Sequence, residues 1–224
     1  MNNKKVIIGI MLLIVIIVGL IMVLSLSNNK QDSKQNESNA KTTLDNTKAK
    51  NTNNKTLVVY FSMAGEVYNV GKVDIGNTAI MASYIVDYLN ADSFEIVPTN
   101  TYPSKYNDLI KVAQEEKNRN DMPKIKNSIN NFDDYDTVFI GYPIWWGDLP
   151  QILYTFLEEY NFNNKTVIPF NTHEGSGSSG TYNTIKNKLS SANVNTNGLA
   201  IQGKTARTDI GKEKTINWLK ELGY

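Results

Sequence analysis

Apolar and polar positions divide the chain into three stretches. Residues 6–26 are almost wholly apolar, and residues 27–54 hold Leu44 as their only large apolar side chain. From Lys55 onward the two classes alternate in short and long periods. Residues 57–61 and 138–142 are nearly continuous apolar runs, and 94–97, 167–170 and 199–201 add three shorter ones. Runs of this kind predict strands of a parallel sheet that is covered on both faces. Between them, residues 77–90 set Ile80, Met81, Tyr84, Ile85 and Tyr88 at helical spacing, and 104–119, 149–160, 180–191 and 209–222 behave similarly. Five strand–helix units predict an α/β domain: a doubly wound five-stranded parallel sheet in a three-layer α/β/α sandwich.

The first stretch follows Lys4 and Lys5 and runs 21 residues without a charge. As a helix it is roughly 31 Å long at 1.5 Å per residue, the depth of a bilayer core. It predicts a transmembrane signal-anchor over 6–26 behind a cytoplasmic n-region over 1–5. The alternative is a cleaved signal peptide, for which Ser25-Leu26-Ser27 offers a small-x-small site. Against it, the apolar stretch exceeds the roughly 7 to 15 residues of a usual signal core. Both versions export the remainder of the chain: a single-pass cell-membrane protein with its C-terminal domain extracytoplasmic, or a secreted one after cleavage. Residues 27–54, rich in Asn, Lys, Ser, Thr and Gln, bury too little to offset their ordering entropy and predict a disordered polar linker. The folded domain is 55–224.

Composition then removes chemistries. There is no cysteine and one histidine, His173, which excludes thiol catalysis, iron–sulfur clusters, disulfides and multi-histidine metal sites. No metal site and no catalytic side chain is expected. A domain of this size folds without staples. Residues 1–54 carry seven lysines against three acids, and 55–224 carry sixteen bases against nineteen acids. A mildly acidic domain lacks the electrostatic footprint of a nucleic-acid binder.

In doubly wound sheets ligands sit beyond the carboxyl ends of the strands, where the winding reverses. The loops following the first, third and fourth expected strands are 62–78, 143–149 and 172–180. The first ends in Gly76-Asn77-Thr78 as a helix begins, which reads equally as a helix cap or as an anion site of hydroxyls and free N–H groups, with Ser62 adding a second hydroxyl. The second puts Trp145 and Trp146 side by side on a surface connection. A planar aromatic ligand would explain them, as would packing of one or both indoles into sheet and helix, or a protein–protein hot spot. The third, from Asn171 to Gly180, contains a literal G-x-G-x-x-G. It lacks the acidic partner about 20 residues on, so it is no dinucleotide fingerprint. Its glycines and serines instead bring backbone N–H groups close to a ring edge. Asp148 and Glu174 read as charges flanking that edge and steering a basic partner.

Tyr60-Phe61-Ser62 with Gly76-Asn77-Thr78, then Gly141-Tyr142-Pro143-Ile144-Trp145-Trp146-Gly147, then Phe170 to Gly177, together resemble the flavodoxin family in its flavodoxin-like oxidoreductase branch, over 55–224. The resemblance implies a flavodoxin-like fold with strand order 2-1-3-4-5, one noncovalent FMN, and electron transfer. Carried over by position, Ser62, Met63, Asn77, Thr78 and Ala79 would hold the phosphate, and Pro143, Ile144, Trp145, Trp146 and Gly147 would line the isoalloxazine. Thr172, His173, Gly175, Ser176 and Gly177 would close its other edge. One departure stands out: residues 64–75 intervene inside the phosphate loop, either as a flap over the cofactor or in a way that leaves Ser62 outside the site. The function so implied is a membrane-tethered electron carrier served by a redox protein partner. The alternative is an NAD(P)H-dependent FMN or quinone oxidoreductase on the same fold.

Overall fold

The computed structural model describes residues 55–224; the expected n-region, anchor and linker lie outside them. In chain order the elements are β1 (Thr56–Tyr60), β2 (Gly65–Val67), β3 (Gly71–Val73), α1 (Asn77–Leu89), β4 (Asp92–Glu95), α2 (Tyr106–Arg119), β5 (Thr137–Pro143) and α3 (Gln151–Glu159). Then come β6 (Thr166–His173), α4 (Thr181–Lys188), β7 (Asn193–Val194), β8 (Leu199–Gln202), α5 (Gly203–Ala206) and α6 (Asp209–Glu221). Among the described residues, no helix is long and apolar enough to cross a membrane.

The main sheet is parallel throughout, in the order β4-β1-β5-β6-β7, with β8 also paired to β6. Counting β7 and β8 as two pieces of one strand gives the expected order 2-1-3-4-5. The split has a local cause. Lys165 and Val167 turn their carbonyls toward β7, accepting from Asn193 at 2.9 Å and Asn195 at 2.9 Å. Pro169 is the next residue of β6 with that parity. It has no N–H to donate across the gap, so the ladder stops there and resumes at Leu199.

Alternate side chains of the strands enter two separate cores, which is why the runs read as continuously apolar. Leu57, Val59, Phe61, Val138, Ile140 and Tyr142 pack with α2, α3 and α4. Val58, Phe139, Ile168 and Phe170 pack with Met81 and Ile85 of α1 and with Trp218 and Leu219 of α6. The strand expected at 94–97 lies two residues earlier. Ile96 still donates to the Tyr60 carbonyl at 2.7 Å, but Lys126 donates to Val97 at 2.7 Å and Thr99 to Lys124 at 2.8 Å, drawing the chain off the sheet edge. The expected loop 62–78 also contains structure: β2 and β3 form a small antiparallel hairpin.

Candidate functional site

The carboxyl ends of β1, β5 and β6 lie side by side, and the connections leaving them enclose a cavity of about 270 Å³. Helix α1 starts at its edge. Gly76, its N-cap, has extended backbone and no side chain to cap with. A Cβ there would overlap Ser62 Oγ and the Met63 carbonyl, so only glycine lets the two halves of this loop close on each other. Ser62 Oγ accepts from the Ala79 N–H at 3.0 Å, and the Ile80 N–H donates to the Gly76 carbonyl at 3.2 Å. The first N–H groups of a helix have no helical partner, which leaves those of Asn77 and Thr78 at the positive end of the dipole. The Thr78 hydroxyl meets the Thr172 hydroxyl at 2.8 Å and ties this loop to β6. From outside, Arg207 donates to the Ile75 carbonyl at 2.8 Å and to Asn77 Oδ1 at 3.1 Å.

The insertion folds as the β2–β3 hairpin. The β2–β3 hairpin leans on the start of α2: Glu66 N–H donates to the Ser104 carbonyl at 2.7 Å, Tyr106 N–H donates to Glu66 Oε2 at 3.2 Å, and the Tyr68 and Tyr106 rings stack at 5.6 Å. Glu66, Val67 and Tyr68 line the cavity together with Ser62 and Met63, so Ser62 stays at the site.

The tryptophan loop is a tight hairpin. Trp145 and Asp148 exchange backbone hydrogen bonds of 3.0 Å in both directions, with φ of 50° at Trp146 and 69° at Gly147. Two successive left-handed residues are the type I′ requirement, easily met by glycine and strained for tryptophan. Helix α2 secures the strained residue. Trp146 Nε1 donates to the Ile110 carbonyl at 2.9 Å, and Lys117 Nζ donates to the Trp146 carbonyl at 2.7 Å. The two indoles therefore differ. Trp145 sits edge-on to Phe61 at 5.3 Å and to Tyr102 at 5.2 Å, half in the core, while Trp146 is 51% exposed. Asp148 is not a free steering charge. It pairs with Lys117 at 3.4 Å and accepts from Leu149 N–H at 2.8 Å and Tyr154 OH at 2.9 Å.

On the third loop His173 Nδ1 accepts from the Gly175 N–H at 2.9 Å, and burial pushes its pKa below the ordinary value, so it is neutral at pH 7. Asn171 holds the loop, donating to the Gly177 carbonyl at 3.1 Å and accepting from Tyr182 OH at 2.6 Å. Glu174 does not point to solvent as a steering charge either: it lines the cavity. Burial pushes its carboxyl up, and the nearby Asn69 side chain, Gly203 N–H and Gln202 side chain hold it down only in part.

Of the residues singled out from sequence, Ser62, Met63, Asn77, Thr78, Pro143, Ile144, Trp145, Trp146, Thr172 and His173 line one cavity. Ala79, Gly147, Gly175, Ser176 and Gly177 do not. Ala79 and Gly147 shape the turns beside it, and Gly175 and Ser176 are exposed. The wall formed by Tyr106, Leu109, Ile110 and Ala113 of α2 was not legible, because its apolar spacing is the same as that of a helix packing on a core. Neither lysine nor arginine is among the described residues lining the cavity.

The flavodoxin family model matches residues 55–222. Among solved structures, the chain is similar to a candidate flavoprotein of Bacteroides eggerthii DSM 20697, at 30% identity over 76% of this chain and 98% of that one, with a TM-score of 0.61. A second, from Bacteroides uniformis ATCC 8492, is 27% identical over 74% and 97%, with a TM-score of 0.58. The flavoprotein of Lactobacillus acidophilus NCFM, crystallised in complex with FMN, shares the fold at 24% identity over 68% and 95%, with a TM-score of 0.54. No curated protein matches the chain.

Proposed function

The chain belongs to the flavodoxin family, and from that premise we propose that residues 55–224 bind one FMN without a covalent link and act as an electron-transfer domain, tethered to a membrane through residues 6–26. The observation that carries this reading is the convergence of three strand-end loops on one cavity with a helix start at its edge. The residues fit the group. Ser62, Asn77, Thr78 and Thr172 supply hydroxyl, amide and N–H groups for a phosphate at the positive end of α1. Trp145, Ile144 and the apolar side of α2 supply a flat-sided apolar slot for the ring. Bound FMN would supply one- and two-electron redox chemistry. The chain's share is to bind it, orient it and set its potential.

The same cavity favours the carrier over the reductase. Among the described residues its lining has no cationic side chain, His173 is neutral, and Glu66 and Glu174 are carboxylates, so added negative charge on a ligand is opposed. Electrons then come from a redox protein partner. One observation favours the second reading, an NAD(P)H-dependent FMN or quinone oxidoreductase. Tyr68 and Trp146, 53% and 51% exposed, offer stacking area at the cavity mouth. Titrating the full-length protein with FMN, then reducing it stepwise while recording visible spectra, tests the binding. One equivalent bound is expected, and no bound flavin overturns the proposal. Steady-state NAD(P)H oxidation by the loaded protein is expected to be absent for the carrier and present for the reductase. The extracytoplasmic location predicts that protease added to intact cells digests the domain; protection would refute it, and release into the medium would favour the cleaved signal.

A further inference from the structure

Helix α2 faces two cavities. Tyr106, Leu109, Ile110 and Ala113 wall the one described above, while Val112, Glu116 and Arg119 wall another of about 570 Å³ that shares no lining residue with it. The opposite side of this second cavity is built from the segments that lead into and out of the helix. Thr99 N–H donates to the Lys124 carbonyl at 2.8 Å, Lys126 N–H to the Val97 carbonyl at 2.7 Å and Asp121 N–H to the Glu116 carbonyl at 2.9 Å, so backbone bonds hold its frame. Pro98, Pro103 and Pro123 with Tyr102 and Val112 give it apolar walls. A concave space with apolar walls and a few polar groups in fixed positions is the ordinary form of a small-molecule site.

The fixed polar group here is Glu116. Its Oε2 accepts from Tyr102 OH at 2.9 Å, the one hydrogen bond its side chain makes among the described residues. No lysine or arginine among them lies within ion-pairing distance of it: Arg119 is committed to Asp121 at 2.8 Å and Glu115 at 3.5 Å, and Lys117 to Asp148 at 3.4 Å. Burial, aided by the nearby Asp121, raises the carboxyl above its ordinary value, against the Tyr102 bond and the Arg119 charge, which lower it. A half-buried carboxylate with one donor and no cation is an incomplete set. The ligand that completes it brings a donor and a positive charge together. An anion is repelled, and a neutral hydroxyl supplies the donor without the charge. Lys124, exposed on the same cavity, disfavours a second positive charge. The apolar walls take a hydrocarbon body.

We propose that this cavity is a second ligand site, which binds a small organic monocation: a protonated amine on an apolar body, its ammonium donating to Glu116. The site does not depend on what the first cavity holds.

Calorimetric titration of the full-length protein with benzylamine, benzyl alcohol and benzoate, which share a ring and differ in head group, reads the preference. One benzylamine is expected to bind, about tenfold or more tighter than either of the others. Glu116→Gln keeps the acceptor for Tyr102 and should abolish that preference, bringing the amine to within about twofold of the alcohol. Glu66→Gln, on the first cavity, should leave the amine affinity within about twofold of wild type. Absence of saturable benzylamine binding at millimolar concentration overturns the proposal, as does a wild type that ranks the three probes alike. A preference that survives Glu116→Gln would place the ammonium elsewhere, and one lost in Glu66→Gln would place it in the first cavity; either overturns it as well. Should Glu116→Gln lack a cooperative urea transition, the wild-type ranking and the Glu66→Gln arm still decide.

Discussion

Gly76 is the position where one added methyl group does most harm. Its Cβ would enter space held by Ser62 Oγ and the Met63 carbonyl, a backbone atom that cannot swing away. Gly76→Ala must therefore open the loop that presents the Asn77 and Thr78 N–H groups. The expected outcome is a loss of about 1–3 kcal/mol in urea unfolding of the flavin-free protein, together with a larger loss of FMN affinity in titration. Equal binding by the variant would separate the helix start from the phosphate site. Glu116 makes a prediction of the opposite sign. It accepts from Tyr102 OH at 2.9 Å, the tyrosine whose ring edges Trp145, and burial raises its carboxyl above the ordinary value. A raised carboxyl means that the fold favours the protonated form. Its contribution is fully present below the unfolded-state pKa and is lost as pH rises through the folded one. At pH 7 the charged group is thus a cost. Glu116→Gln, which keeps the acceptor for Tyr102, should stabilise the protein at pH 7 by less than about 1 kcal/mol, and the gain should vanish near pH 4 and below.

At the scale of elements, the Trp145–Asp148 hairpin is held less by its own turn than by α2. A tryptophan in the left-handed region costs roughly 1–2 kcal/mol, and what offsets it is external: the Lys117 bond to the Trp146 carbonyl, the Lys117–Asp148 pair and the indole bond to Ile110. Lys117→Met removes the first two and leaves the stem to pack. It should lower stability by about 1 kcal/mol, since the pair is partly solvated, and should speed amide exchange at Trp145 and Asp148 more than in β5. Uniform protection would mean the turn stands alone. These latches also mark where sequence ceases to inform. The strands at 57–61 and 138–142 were legible because both faces of a covered sheet demand apolar residues in succession. The β2–β3 hairpin was not, because three residues a strand are too few for a period and none of them enters a core. Pro169 announced the break in the last strand, but only against a known ladder parity. At the site, the loop residues that line the cavity were visible in the sequence. Lys117 and Arg207 were not, because each acts on a backbone carbonyl far along the chain and leaves no pattern around itself.

At the scale of the molecule, charge placement sets what the proposed carrier can do. The folded part carries sixteen bases and nineteen acids, and the two cations closest in role to the cavity, Lys117 and Arg207, are committed to loop carbonyls outside its lining. An electron delivered to the ligand therefore enters a partly apolar space lined by carboxylates and, among the described residues, by neither lysine nor arginine, so the proposed carrier should work at low potential. Glu66 tests this cleanly, because its Oε2 accepts from the Tyr106 N–H at 3.2 Å and glutamine preserves an acceptor there. Loaded with FMN, Glu66→Gln should raise the reduction potential by a few tens of millivolts and Glu66→Lys by more, given that ~59 mV corresponds to a tenfold change for one electron. Spectroelectrochemical titration at low ionic strength reads the order, and added salt should compress the differences because the cavity mouth is open to solvent. Potentials that do not move, or that fall on removing the carboxylate, would show that the wall's charge does not govern the ligand and would take away the ground for preferring a carrier to a reductase.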